Sequence, residues 1–168
     1  MSSARGTNLL GAVALALTDE LRRATEQCGE HGASGPAALV VIGTYPGRTI
    51  DALRPALQLT HSGTVRLIDR LAQSGLVERR AGQDARCVSL YLTPAGRAEM
   101  RSVLAARAQA LEAAAAALTE AERRQLELLS GKILAGLTDS QARADHICRL
   151  CNEAECPTDR CPVECALH

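Results

Sequence analysis

The C-terminal segment of the chain is rich in side chains that bind thiophilic metals. Cys148 and Cys151 form a C-x-x-C pair, so two thiolates from one turn can converge on a single ion while two further thiolates complete a tetrahedral shell. The spacing predicts a metal- or cluster-binding tail over residues 141–168. The thiol candidates and the flanking nitrogen donors are Cys148, Cys151, Cys156, Cys161, Cys165, His146 and His168.

The residue types in this tail leave the identity of the metal open between zinc and an iron–sulfur cluster. Zinc sites commonly use two short chelating pairs, whereas this tail has one, yet zinc is the commoner structural metal. Cys156 and Cys161 each precede a proline, and a Cys-Pro step occurs in ferredoxin-type sequences without specifying a cluster by itself. The fifth thiol is available to replace a ligand, serve a second metal or react with oxidants. Unligated thiols on a disordered tail are the alternative interpretation.

A second group of chemically interesting residues lies on a short amphipathic helix predicted over residues 61–74. Thr60 is a suitable N-cap residue, and Gly75 is typical of a helix end. Such a helix can enter the major groove of DNA, although a charged face is also what an ordinary solvated helix shows. The apolar face contains Thr64, Leu67, Ile68 and Leu71, and the polar face contains Ser62, Arg66, Asp69, Arg70 and Gln73.

The flanking segments predict the elements that would hold this helix. Residues 7–30 indicate a long helix, residues 36–44 a buried helix or strand, and residues 49–57 a short helix that precedes the polar one. Alternating runs at 76–79 and 87–92 predict a β-hairpin with a polar loop, and helices follow over 94–118 and, after a capping box at Thr119, up to residue 137. Two helices followed by a hairpin is the winged helix-turn-helix order. The predicted fold is mostly α with a small β-wing.

The segments LTHSGTVRLIDRLAQSGLVERR at 59–80 and DARCVSLYLTPAGR at 84–97 closely resemble the multiple-antibiotic-resistance regulator (MarR) family. The resemblance is specific over residues 50–97, is compatible with the helices over 7–137, and does not cover the tail. It implies an N-terminal dimerisation helix (1–34), a winged helix-turn-helix domain (35–97) and C-terminal dimerisation helices (98–140), in a homodimer with intertwined helices. The implied function is control of nearby genes, relieved by a ligand, a metal or thiol oxidation.

The resemblance also assigns roles to individual residues. It implies that the N-terminal part of the polar helix reads bases while the hairpin contacts the backbone and minor groove, where Asp84 would orient Arg86. Arg70, farther along the helix, is better placed for a phosphate. Cys87 stands where the family often has a basic or small residue. The DNA-binding candidates are Thr60, Ser62, Gly63, Val65, Arg66, Arg70, Arg79, Arg80, Asp84 and Arg86.

Composition narrows the class of protein without naming a partner. The formal net charge is zero, and of the 19 lysines and arginines only Lys132 is a lysine; this bias suits bidentate contacts with phosphate or guanine but also follows from GC-rich coding. No run approaches the roughly 18–20 apolar residues that span a bilayer. Seven cysteines would be an awkward odd number for a secreted disulfide framework. We therefore expect a cytoplasmic protein with reduced thiols and no membrane partner.

The sequence predicts a DNA-binding transcription regulator, a repressor, whose partners are operator DNA and a second copy of the chain. Its DNA affinity is expected to respond to zinc, an iron–sulfur cluster or thiol oxidation at the tail. An enzyme is not expected, because no Ser/His/Asp or paired-carboxylate arrangement and no phosphate-binding glycine loop is recognisable. The alternatives are a thiol- or metal-dependent redox enzyme, and a winged-helix protein-interaction module with a structural zinc.

Overall fold

The computed structural model describes residues 3–27, 29, 31–82 and 88–168. It confirms the predicted fold class: a mostly helical chain with one two-stranded antiparallel sheet. A single 3-10 turn at Thr158–Arg160 lies within the tail. The helices are α1 (Ala4–Glu26), α2 (Gly35–Thr44), α3 (Ile50–Leu57), α4 (His61–Gln73), α5 (Pro94–Ala114), α6 (Glu120–Leu137), α7 (Gln141–Cys148) and α8 (Pro162–Cys165), and the strands are β1 (Val77–Ala81) and β2 (Val88–Leu92).

The winged lobe, formed by α2–α4, β1 and β2, is built around α2. Residues 35–42 of this helix are all buried, which explains why its sequence shows no amphipathic period and was compatible with a strand. Pro36 in the first turn settles the choice, since its fixed φ suits a helix start and its missing N–H costs nothing there. Around α2 the remaining core residues are aliphatic: Leu53, Ala56, Leu57, Leu67, Ile68, Leu71, Leu76, Val77, Leu90 and Leu92.

The wing is joined to α5 by a close backbone contact. β1 and β2 pair antiparallel with Val77 opposite Leu92. Thr93 caps α5 by accepting a hydrogen bond from the Gly96 N–H (3.0 Å), and its hydroxyl donates to the Gly75 carbonyl (2.6 Å). A Cβ at Gly96 would lie 2.0 Å from the Leu76 carbonyl oxygen, so only glycine fits at this junction.

The long helices form a stem that leaves apolar side chains in solvent. α1 packs against α5, whereas α6 has no buried residue along its whole length. Contiguous exposed apolar faces of this kind mark interaction surfaces. The exposed residues are Leu9, Leu10, Val13 and Leu15 on α1, and Leu126, Leu128, Leu129, Ile133 and Leu137 on α6.

The cysteine-rich tail is folded onto the rest of the chain, contrary to the alternative of a disordered tail. α7 packs against α3 of the winged lobe, and α8 packs against α6 of the stem. Ala144, Cys161 and Val163 form a second small core, joined by Leu134 of α6. The tail therefore bridges lobe and stem. Within the described residues, no helix combines the length and apolarity that crossing a bilayer requires.

Candidate nucleic-acid interface and cysteine cluster

The N-terminal end of α4 is shaped by its capping residue. The Thr60 hydroxyl accepts a hydrogen bond from the Gly63 N–H (3.1 Å) and lies 3.3 Å from the Ser62 hydroxyl. The predicted faces are observed: Thr64, with the apolar residues of its side, is buried, and Ser62 and Arg66 are exposed. The first turns of α4 thus present small polar groups, the partly buried Gly63 and Val65, and one long cation.

Arg66 and Arg70 are the unpaired cations of α4. Within the described part of the chain neither forms an ion pair or hydrogen bond, and both are exposed. The Arg70 guanidinium lies beside Gly32 in the α1–α2 connection. Arg66 is therefore better placed than Arg70 to contact another molecule that approaches the N-terminal half of α4.

A pair of residues that the sequence analysis did not single out links α3 to α4. His61 Nδ1 lies 2.9 Å from Asp51 Oδ1, and Arg54 lies 3.4 Å from the same oxygen. The hydrogen bond to His61, followed by its charge and by Arg54, lowers the pKa of Asp51. This bond holds the start of α4 against the start of α3.

The described wing arginines are engaged by neighbouring carboxylates yet remain accessible. Arg79 forms an ion pair with Asp69 of α4 at 2.6 Å, which fixes β1 to that helix. Arg80 pairs with Glu78 and stacks over the Tyr91 ring at 4.4 Å. The other wing candidates, Asp84 and Arg86, lie outside the described residues, as does Cys87.

Four of the five tail thiols come together in the folded tail. Cys161 lies in the small tail core, against which Cys148 and Cys156 pack, and the Cys151 N–H is bonded to the Cys148 carbonyl at 2.8 Å. Cys161 is buried, and the other three are partly buried. Cys165 is exposed, and its thiol donates to the Asp159 carbonyl at 3.7 Å.

Cys148, Cys151 and Cys156 differ in acidity because of their surroundings. The hydrogen bond with Cys148, aided by the positive charge of Arg107, lowers the pKa of Cys151 to about 6. The same bond and burial raise the pKa of Cys148, and burial, with the neighbouring Cys161, raises the pKa of Cys156 to about 11. As they stand, no three His, Cys, Asp or Glu side chains in the described residues are placed to hold a metal ion.

The flanking histidines do not join the thiols. His146 Nδ1 lies 2.8 Å from the Ala56 carbonyl of α3, so this ring ties α7 to the winged lobe. His168 is exposed at the end of the chain, where it lines a shallow cavity with Cys165. The structure therefore separates both histidines from the four-thiol group.

Further contacts between tail and lobe were missed by the sequence analysis. The Tyr45 hydroxyl donates to Glu153, Arg48 stacks over the Tyr45 ring at 4.0 Å, and Leu150 packs against the core of the lobe. Burial and the bond to Glu153 raise the pKa of Tyr45, so the hydroxyl keeps its proton across the neutral range. These contacts join residues about 100 positions apart, and no local pattern signals them.

Comparison with known proteins finds one matching family model and a similar repressor. A model described as the MarR family matches residues 36–86. The transcriptional repressor MprA of Escherichia coli is 32% identical over 103 residues, which cover 60% of this chain and 58% of that protein, less than two thirds of its length.

Solved structures share the fold. The apo form of MarR from E. coli is 25% identical, with a TM-score of 0.62 over 74% of this chain and 96% of that one. A MarR-family regulator from Listeria monocytogenes, solved in complex with a 26mer DNA, is 18% identical with a TM-score of 0.62, covering 88% and 94% of the two chains. The family consists of transcription regulators and not of enzymes.

Proposed function

We propose that the chain is a homodimeric, sequence-specific DNA-binding repressor of transcription of the MarR family, whose winged helix-turn-helix members it resembles. The observation that carries this proposal is the exposed face of α4, where Ser62 and the unpaired Arg66 follow a well-capped helix start. The repressor role is supported by the description of MprA, and DNA binding by the complex of the Listeria relative.

The dimensions and chemistry of α4 suit the major groove. Its 13 residues extend roughly 20 Å at about 1.5 Å per residue, and the groove is about 12 Å wide. Arg66 can offer two N–H groups to the O6 and N7 atoms of guanine, the commonest specific contact. Arg79 and Arg80 on β1 lie on the wing, where they are available to backbone phosphates.

A second copy of the chain is the occupant we assign to the exposed apolar faces of α1 and α6. These faces contain nine large aliphatic residues, and a soluble monomer rarely leaves such a patch uncovered. Some charged residues of these helices pair within their own helix, as Arg22 does with Asp19 and Arg124 with Glu120. Two-fold pairing of the stems would present two α4 helices to successive major grooves about one turn of DNA apart.

Selection of binding sites from random DNA, followed by titration of the selected site, tests DNA recognition. We expect a pseudo-palindrome. Arg66→Ala should lose about 1–3 kcal/mol of discrimination between selected and scrambled sites. Arg160→Ala, which removes the same charge from the exposed 3-10 turn, is the matched control. An intact dimer that binds no DNA would favour the protein-interaction alternative, and undiminished discrimination by Arg66→Ala would remove that residue from base reading.

We further propose that metal binding or thiol oxidation in the tail changes DNA affinity. α3 packs against α4, and α7 packs against α3. The tail is therefore connected through α3 to α4, the helix proposed to read DNA bases. The opposite end of the tail, α8, lies on α6 of the stem. A change in the tail can therefore alter how the lobe is held relative to the stem.

The seam between stem and lobe leaves room for such movement. A cavity of about 450 Å³ lies between α1 and the lobe, lined by Leu21 and Arg22 on one side and by Leu57, His146 and Arg149 on the other. A coupling free energy of about 1–3 kcal/mol would change operator affinity by roughly 5- to 150-fold.

Operator titrations with metal-loaded and metal-free protein, each confirmed folded and dimeric, test this response. Linkage requires operator DNA to shift the metal affinity by the same factor. Equal operator affinities in the two states would reduce the tail to a structural element.

A further inference from the structure

We infer that Cys148, Cys151, Cys156 and Cys161 are the four ligands of one thiolate-bound metal centre, and that Cys165 and both histidines lie outside it. The inference rests on the proposed metal response of the tail, which it makes specific. It concerns which side chains bind and how many metals are held.

Three of the four thiols share the small tail core, in which Cys161 is buried and against which Cys148 and Cys156 pack. Cys151 lies one turn beyond Cys148, and its N–H is bonded to the Cys148 carbonyl at 2.8 Å. These residues come from the end of α7, the connection that follows it and the residue before α8. Only the folded tail brings them together, so their proximity is not a consequence of local spacing.

The donor set suits a tetrahedral centre. Four thiolates form one of the usual tetrahedral shells of zinc, with metal–sulfur bonds of about 2.3 Å. Ligation replaces the S–H bonds with metal–sulfur bonds and releases the protons to solvent. In the described arrangement no three of these side chains surround one point, so the thiols must reorient to bind an ion.

The surroundings of the cluster favour a bound ion over free thiols. Cys161 is buried with Ala144 and Val163 in the small tail core. The guanidinium groups of Arg107, from α5, and of Arg149 act electrostatically on the Cys151 sulfur. Four thiolates around Zn²⁺ carry a net charge of about −2, and these two cations would offset it.

The remaining donors are directed elsewhere. The Cys165 thiol is exposed and bonded to the Asp159 carbonyl, and His146 is bonded to the Ala56 carbonyl. His168 shares an exposed cavity with Cys165. A set of four ligands is thus complete without the fifth thiol.

Metal and sulfide analysis of the full-length protein, purified without oxygen, distinguishes a zinc ion from an iron–sulfur cluster at this site. One zinc per chain with no iron identifies the ion. Iron with acid-labile sulfide and visible absorption identifies the cluster. Either result supports the site, whereas protein that binds metal neither after loading with Zn²⁺ nor after iron–sulfide reconstitution overturns it.

Single serine variants test the ligand assignment, with Cys165→Ser as the matched control. Each ligand variant should weaken metal affinity by at least 100-fold: Cys148→Ser, Cys151→Ser, Cys156→Ser and Cys161→Ser. Substitution of residues that only hydrogen bond to a metal ligand already costs about 10- to 100-fold in affinity. Cys165→Ser should keep the parental affinity and stoichiometry. Loss of metal from Cys165→Ser, or parental affinity in any of the other four, would contradict the assignment.

Cobalt(II) substitution of the parent chain provides a measurement that does not depend on whether the four ligand variants fold. The parent and Cys165→Ser should give the same intense sulfur-to-cobalt absorption, typical of four thiolates in a tetrahedron. A spectrum with fewer than four sulfurs in the parent would overturn the proposal. None of these measurements involves DNA, so a centre that binds metal without changing operator affinity would refute only the regulatory proposal.

Discussion

The hydroxyl of Tyr45, at the C-terminal end of α2, donates a hydrogen bond to the carboxylate of Glu153, 108 residues further along the chain. This bond joins the core helix of the winged lobe to the loop that follows Cys151. Glu153 also acts electrostatically on Cys151 and Cys156. The bond is therefore a direct physical connection between the loop that carries these thiols and the winged lobe.

Tyr45→Phe removes this bond while keeping the ring that stacks with Arg48. Because a hydrogen bond to a charged group contributes about 1.5–3 kcal/mol, we expect the metal-dependent change in operator affinity to shrink by about tenfold. DNA binding itself should persist. Operator titration with and without metal measures both quantities. Tyr91→Phe, the same change in the wing, should keep the full response, and an undiminished response in Tyr45→Phe would exclude this route.

The salt dependence of DNA binding should report on Arg80. If its guanidinium contacts a phosphate, Arg80→Ala lowers the slope of log affinity against log salt by about one and weakens binding to all sequences alike. Glu78→Gln removes the carboxylate that pairs with Arg80 and should act in the opposite direction, with tighter binding. Fluorescence anisotropy at several salt concentrations measures the slopes. An unchanged slope for Arg80→Ala would place this residue away from the DNA backbone.

Introducing a charge on the stem should weaken the proposed pairing of two chains. Leu129 of α6 is 50% exposed in the single chain. Burial of such a side chain contributes about 1.5–3 kcal/mol, and two-fold symmetry doubles the effect, so Leu129→Asp should weaken association by roughly 10²- to 10⁴-fold. Sedimentation equilibrium measures this change. Val88→Asp, at an exposed apolar residue of the wing, should remain dimeric, and a dimeric Leu129→Asp would place the interface elsewhere.

The junction between wing and α5 should not tolerate a methyl group. Gly96→Ala forces a Cβ against the Leu76 carbonyl, and overpacking of this kind costs about 3 kcal/mol in the free energy of unfolding. Gly136→Ala, in α6 with no atom within 4 Å of the added Cβ, is the control and should be neutral or stabilising by about 1 kcal/mol. Urea denaturation compares the two, and equal stabilities would contradict the close approach.

Elements governed by local chemistry were predictable from the sequence. Thr60, Thr93 and Thr119 cap the helices that were predicted to begin after them, because a capping side chain acts within three residues of itself. Gly75 has a φ of 71° at the end of α4, as a helix-terminating glycine should. The polar and buried sides of α4 followed from periodicity alone.

Features that depend on distant contacts were not predictable. The end of α5 lies in a run of alanines without a stop signal, and the helix ends at Ala114 instead of continuing to 118. Arg123 explains the difference, because its guanidinium donates to the carbonyls of Ala115 and Leu118 across the turn. The docking of the tail likewise depends on His146 and Tyr45 contacts between remote segments, which no local pattern encodes.

The scarcity of aromatic residues gives this protein two built-in optical reporters. Tyr45 and Tyr91 are its only aromatic side chains apart from histidine, and it has no tryptophan. One ring sits at the seam where the tail meets the lobe, and the other lies under Arg80 in the wing. Ultraviolet emission from the unlabelled protein therefore has two sources. In Tyr45→Phe only Tyr91 emits, and in Tyr91→Phe only Tyr45 emits. Engagement of the wing and docking of the tail can therefore be followed separately in real time.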